Sequence, residues 1–250
     1  MDAITKETKK KSKKIYITGC VAVLVLLFAS ICMWYVNDYY RADKTAMETF
    51  QMASNVSRTV LADGTVVFEP EQAEVGFIFY PGGKVEHTAY EPLLQTLAAE
   101  GILCALVEVP LRLAILEVDA AEGIAKQYPE VEDWYIGGHS LGGSAAAMYL
   151  EEHTDEFAGL ILLGSYSTVD LSESDLEVLS VYGSKDNVLN KDNYLESKEN
   201  LPQDFTEVII EGGCHAYFGV YGEQAGDGTP TISNVEQIQM TVKIMLDFME

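Results

Sequence analysis

Apolar residues are distributed along this chain in three distinct ways. Residues 15–36 (IYITGCVAVLVLLFASICMWYV) form an unbroken run of 22 without a single charge. As a helix that run spans roughly 33 Å, enough for a bilayer core. Residues 37–59 are polar with scattered apolar positions, the pattern of a stalk or a short helix. From about residue 60, short β-rich runs alternate with stretches of helical spacing.

The β-rich runs are 64–68 (GTVVF), 75–80 (VGFIFY), 102–109 (ILCALVEV), 134–137 (WYIG), 160–163 (LILL), 178–182 (VLSVY) and 207–210 (EVII). Turn signals such as Asp63-Gly64 and Glu69-Pro70 bound the first of them. Between the runs, residues 88–100 carry Tyr90, Leu93, Leu94 and Leu97 at helical spacing. Further helices are predicted from about 112 to 128, over alanine-rich 143–153, over 193–200 and around 234–248. Short apolar strands alternating with helices imply an α/β domain, with a mostly parallel sheet covered on both faces. In such sheets ligands bind at the carboxyl ends of the strands, so the residues just past each strand carry the functional interest.

Charge sharpens the N-terminal reading. The formal net charge is −23, yet six lysines (Lys6, Lys9, Lys10, Lys11, Lys13, Lys14) fall in the first 14 residues. Beyond them, 10 basic residues face 37 acidic ones, a surface that repels phosphate backbones and makes no case for nucleic-acid binding. Lysines before the apolar run, with Trp34, Tyr35, Tyr39 and Tyr40 at its far end, predict a single-pass anchor whose N-terminus is cytoplasmic and whose domain faces outward. The competing signal peptide wants small residues at −3 and −1 of a cut, and near Ala29 and Ser30 the −3 positions are Leu27 and Phe28. The run 17–20 resembles a lipoprotein box but precedes the apolar stretch instead of ending it. The expected organisation is a basic tail over 1–14, an anchor over 15–36, a stalk over 37–59 and one α/β domain over 60–250. Outside the anchor only Cys104 and Cys214 remain, on strands not expected to be neighbours; free thiols are predicted, with no zinc spacing.

Chemistry concentrates in 137–143, Gly-Gly-His-Ser-Leu-Gly-Gly, between a predicted strand and a predicted helix. This is the G-x-S-x-G elbow, where glycines allow a turn so tight that Ser140 stands exposed above the sheet at a helix N-terminus. Chains built on this elbow order their catalytic groups as nucleophile, acid, histidine. Of four histidines, His139 lies within the elbow, His87 follows an early strand and His153 ends a helix. His215, just past the last strand, is the candidate base. The acid is expected after the penultimate strand, at Asp186, with Asp170 and Asp175 as competitors. Its task is to accept the imidazole N–H and stabilise the imidazolium. The oxyanion of a tetrahedral intermediate needs donors: the backbone N–H of Leu141, after the nucleophile, and that of Gly83, in the 80–84 loop, preferred over Gly82. That loop lacks the spacing of a phosphate-binding P-loop.

Four segments in order carry a resemblance: 81–85 (PGGKV), 110–114 (PLRLA), 137–143 (GGHSLGG) and 212–228 (GGCHAYFGVYGEQAGDG). The chain resembles the α/β-hydrolase superfamily, and within it a small bacterial dienelactone-hydrolase-like branch, over about residues 60–250. Dienelactone hydrolases proper use a cysteine nucleophile, whereas this elbow has Ser140, so a dienelactone substrate is not implied. The resemblance implies an α/β-hydrolase fold. Only about twenty residues separate the 160–163 strand from Asp186, too few for a large lid, and an open pocket suiting short acyl groups follows. The expected activity is a serine esterase-like hydrolysis of a small-molecule ester through an acyl-enzyme, with no metal or organic cofactor. A catalytically silent binding module, or an acyltransferase or peptidase using the same three residues, are the alternatives. Segment 216–228 either rims the pocket or packs the loop. The sequence leaves the oligomeric state open.

Overall fold

The computed structural model describes residues 2–51 and 53–249. Met1, Met52 and Glu250, which fall in the predicted tail, stalk and domain, lie outside the described residues. The chain divides into two units, Met1–Tyr39 and Tyr40–Glu250. The first is a single helix, α1 (Asp2–Asn37), whose segment Tyr16–Asn37 is the one described helix long and apolar enough to cross a membrane.

The second unit is built on an eight-stranded sheet. Its strands are β1 (Val56–Val60), β2 (Val66–Pro70), β3 (Val75–Tyr80), β4 (Leu103–Leu106), β5 (Asp133–His139), β6 (Gly159–Leu163), β7 (Glu177–Gly183) and β8 (Thr206–Ile210). Their spatial order is β1-β2-β4-β3-β5-β6-β7-β8. The pairs β1–β2 and β2–β4 are antiparallel and all others parallel, so β3 through β8 present their carboxyl ends along one edge. Strand period two sorts the core. Phe77 and Phe79 of β3 face one layer, and Ile78 and Tyr80 face the other, all fully buried.

The first layer holds α3 (Glu91–Ala99) and α6 (Asn234–Met249), through Leu93, Leu94 and Leu97 and through Ile238, Val242 and Met245. The second holds α4 (Leu141–Leu150), whose Ala145, Ala146 and Ala147 allow close approach to the sheet. Two short helices, α2 (Lys44–Met47) and α5 (Lys191–Ser197), are capped by Asp43 and Asn190, which accept from main-chain N–H groups of the first turn. Between β6 and β7 there is no helix and no lid.

Two stretches differ from the sequence reading. Part of 37–59, read as a stalk, belongs to the sheet: β1 is its edge strand, and Tyr40 bridges to Val85. Arg58 of β1 makes a bidentate pair with Glu91 of α3, at 2.8 and 2.7 Å. The helix predicted over 112–128 is instead four 3-10 turns, Pro110–Arg112, Ala114–Leu116, Val118–Ala121 and Ala125–Gln127. The backbone explains this. Leu111 and Arg112 hold φ of 53° and 60°, Gly123 holds 74°, and none of these continues a right-handed helix. The buried Tyr80 hydroxyl also competes for the backbone, accepting from Ala121 N–H (2.8 Å) and donating to the Val118 carbonyl (2.6 Å).

Candidate active site

Strand β5 runs straight into α4 through Ser140, whose φ of 53° and ψ of −124° are strained for a residue with a Cβ. The turn is possible because its neighbours lack side chains. A Cβ on Gly142 would run into the Tyr80 carbonyl oxygen, and one on Gly138 would meet Gly142 C at 2.7 Å and Gly143 N at 2.9 Å. The N-terminus of α4 can therefore press against the exit of β3. Two bonds fix the serine backbone: its N–H donates to the Leu163 carbonyl (2.9 Å) and its carbonyl accepts from Ser165 Oγ (2.6 Å).

The exits of β7 and β8 supply a second constellation. Asp186 and His215 are both buried, and Asp186 Oδ2 lies 2.8 Å from His215 Nδ1. The other carboxylate oxygen, Oδ1, accepts from Val188 N–H (2.9 Å) and Leu189 N–H (2.8 Å), so the carboxylate is held at both ends. The His215 ring packs against the His139 ring, centroids 4.4 Å apart. A Cβ on Gly164 (φ 53°) would stand 3.0 Å from His215 Nδ1 and 3.2 Å from Asp186 Oδ2. Ser140 is thus flanked, along the chain by His139 and across the strand register by the Leu163–Gly164 corner, by residues that touch His215. Nε2 of His215 is buried with no hydrogen-bond partner, and no bond joins it to Ser140 Oγ.

The main-chain N–H groups of Leu141 and Gly83 have no acceptor among the described residues. The two residues adjoin, since a Cβ on Gly83 would lie 2.9 Å from Leu141 Cδ2. Gly82 is different: its N–H donates to the Tyr90 hydroxyl (3.2 Å), which removes it as a free donor. A cavity of about 470 Å³ opens beside this loop, lined by Pro81, Val85, Val109, Pro110 and Leu111 together with Glu86, His87, Glu108, Arg112 and Glu117. A larger one, about 640 Å³, lies at the opposite end of the sheet, against the starts of β7 and β8.

The competing residues lie elsewhere. Asp170 is exposed and caps its own turn by accepting from Ser172, and Asp175 lines the far cavity. The His153 ring stacks on Tyr149 at 4.1 Å, with Nδ1 2.7 Å from the Tyr149 carbonyl. Both domain cysteines are buried and free. Burial raises the Cys104 thiol, and burial followed by the Asp227 carboxylate pushes Cys214 up to about 12, so neither offers a thiolate near neutral pH. No group of three or more His, Cys, Asp or Glu suited to a metal occurs among the described residues.

Several supporting residues were not singled out by sequence. Gln237 of α6, fully buried, clamps Cys214 by accepting from its N–H (2.9 Å) and donating to its carbonyl (2.8 Å). Asp227 accepts from Ala216 N–H (2.9 Å) through Oδ2 and from Asn187 N–H (3.3 Å) through Oδ1, joining the loop of His215 to that of Asp186. Segment 216–228 also packs inward, with Phe218, Val220 and Tyr221 buried. The only sequence signal for Asp227 was the Gly-Asp-Gly turn; Gln237 gave none.

Comparison with known proteins agrees with this architecture. Residues 76–239 match the alpha/beta hydrolase family, and the chain belongs to it. Among solved structures it resembles a dienelactone hydrolase from Anabaena variabilis, with a TM-score of 0.56 at 14% identity over 78% of this chain and 99% of that one. It also resembles Est1E from Butyrivibrio proteoclasticus, with a TM-score of 0.52 at 16% identity over 78% and 99%. Carboxyl esterase 2 from the fungus Tuber melanosporum gives 0.54 at 11% identity over 82% and 89%. No curated protein matches by sequence. Family membership and this fold make the protein a hydrolase with esterase-like neighbours.

Proposed function

We propose that the chain is a serine hydrolase that cleaves an ester-like carbonyl substrate through an acyl-enzyme on Ser140, with His215 as base and Asp186 as its orienting acid. The observation that carries this is the buried Asp186–His215 hydrogen bond beside the Ser140 elbow, with His215 Nε2 left without a partner. A buried, unpaired ring nitrogen is unfavourable unless something uses it. With Asp186 accepting the Nδ1 proton, Nε2 becomes the acceptor, and its donor in this reading is the Ser140 hydroxyl once the side chain moves within reach. Catalytic hydrogen bonds commonly tighten only with substrate bound.

In the first half-reaction Ser140 Oγ bonds to the carbonyl carbon and its proton passes to His215 Nε2. The oxyanion is held by the Leu141 and Gly83 N–H groups. When the tetrahedral intermediate collapses, the carbon–oxygen bond to the leaving group breaks and His215 gives that group the proton. Water then attacks the acyl carbon, His215 takes its proton, and the second collapse returns a proton to Ser140. The absence of a lid between β6 and β7 suits a small acyl group better than a long buried chain.

A fluorophosphonate probe on the full chain in detergent is expected to label Ser140, and a panel of esters, thioesters and amides to show short-chain esters preferred. Folded protein that forms no Ser140 adduct would point instead to a binding module. Products transferred to added alcohols or amines in preference to water would make it an acyltransferase.

We further propose that residues 16–37 anchor the protein, with the lysine-rich end cytoplasmic and the hydrolase domain outside. The full chain should then stay with membranes through an alkaline carbonate wash, and protease added outside intact cells should digest the domain. Release by the wash, or complete protection in intact cells, would overturn this.

A further inference from the structure

His139 is a buried, titratable side chain next to the nucleophile candidate that the acyl-transfer scheme leaves idle. Its Nδ1 lies 2.8 Å from the Tyr90 hydroxyl, and that hydroxyl also accepts from the Gly82 N–H at 3.2 Å. Tyr90 is itself fully buried, on the last residue before α3. Gly82 has to be glycine here, because a Cβ would lie 2.6 Å from the Tyr90 hydroxyl and 2.8 Å from His139 Nδ1.

Gly82 offers only a donor, so the Tyr90 oxygen accepts from it, and the Tyr221 hydroxyl, which donates to Gln224 Oε1 at 3.1 Å, also reaches that of Tyr90. In the tautomer that serves all of these groups, the Tyr90 proton goes to His139 Nδ1 and His139 carries its own proton on Nε2. Nε2 faces no hydrogen-bond partner, and the ring lies against His215. Burial, with a smaller push from the His215 ring, holds His139 well below the usual histidine range against a weaker upward pull from the His215 main chain, so the ring stays neutral.

We propose that Tyr90 and His139 form a buried brace that fixes the Gly82–Gly83 loop against the Ser140–His215 pair, making both of them positioning residues for acyl transfer. The brace rests on the assignment of Ser140 as nucleophile. It spans the two halves of the chemistry. One end holds the main chain just before the Gly83 donor, and the other backs the residue preceding Ser140 and the ring of the base. Packing alone would be met by phenylalanine at position 90. The hydroxyl instead serves two buried polar groups that would otherwise be unsatisfied. A glycine-rich loop released from that bond can drift, and a shift of about 1 Å in a donor lowers turnover by on the order of 10²-fold.

The test uses the full chain in detergent, with p-nitrophenyl acetate hydrolysis and fluorophosphonate labelling read on the same preparations. Tyr90→Phe should lower kcat and the labelling rate by about 10- to 100-fold, with KM within about threefold. The ¹⁵N signals of His139 should shift while the Nδ1 proton shared by His215 and Asp186 persists. His139→Asn, whose Oδ1 can stand where Nδ1 stood, should retain about tenfold more activity than His139→Leu at comparable melting temperature. That pair also decides the matter if Tyr90→Phe fails to fold. Wild-type rates in Tyr90→Phe, or equal activity of the two His139 variants, would remove the brace and leave the Ser140 assignment standing. Absence of labelling in the wild-type chain would remove both.

Discussion

Ser140→Ala is expected to lower kcat/KM for the best ester by at least about 10³-fold while leaving the fold unchanged. The size follows from what is lost. Without Oγ no acyl-enzyme forms, and only the oxyanion donors and the binding surface remain to assist direct attack by water. Stability should be retained because alanine keeps the Cβ, and with it the strain at φ 53° and ψ −124°. Ser140→Gly separates the two effects. It should be equally inactive yet melt higher, by an amount corresponding to about 1 kcal/mol, because glycine populates this region freely. Ester hydrolysis and thermal melts on the three proteins suffice. An alanine variant with more than a few per cent of wild-type activity would exclude Ser140 as nucleophile.

Asp186→Asn should lower turnover by about 10⁴-fold, again with little change in melting temperature. The carboxylate and the amide have the same shape, and the two oxygens have different tasks. Oδ1 accepts from Val188 and Leu189 N–H groups, which the asparagine carbonyl can continue to do. That orientation puts the amide nitrogen where Oδ2 meets His215 Nδ1, and an NH₂ group can only donate there. Nδ1 must then become an acceptor and the ring proton must move to Nε2. A protonated Nε2 cannot take the serine proton. A loss below tenfold would mean that Asp186 does not set the tautomer.

The parts of the molecule legible in the sequence are those governed by local rules. Strands β3 to β7 are read from their apolar, β-rich runs, because a strand covered on both faces has to be largely apolar, and the edge strand β8 is read from its Val-Ile-Ile run although only Ile210 is buried. The elbow is read from its glycines, whose contacts with Tyr80 leave no room for a Cβ. Residues 186 and 215 are found by position, each just past a strand, and the structure joins them by a hydrogen bond. Strand β1 is not legible in VSRTV, since on the sheet edge only Val56 is buried. The 110–127 turns read as a helix because their departures depend on distant groups: Tyr80 capturing Ala121 and Val118, and the Lys84 N–H donating to the Arg112 carbonyl at 2.8 Å. Tyr90, Asp227 and Gln237 are hidden for the same reason. Each acts on main-chain groups that only the fold brings near, and a polar residue in sequence carries no mark of its partner.

The Asp227 carboxylate ties the last fixing of the 186–215 pair to chain that follows all eight strands. Residues 186 and 215 leave neighbouring strands, yet their loops are pinned together by a side chain that the ribosome adds 40 residues after Asn187. A nascent chain could complete all eight strands and join the two loops through the Lys185 N–H and the Gly213 carbonyl (2.8 Å), yet still lack the carboxylate that holds Ala216, the residue after the histidine. Assembly of the pair is therefore coupled to the arrival of the chain's tail, and a partly made molecule would be a hydrolase in outline only.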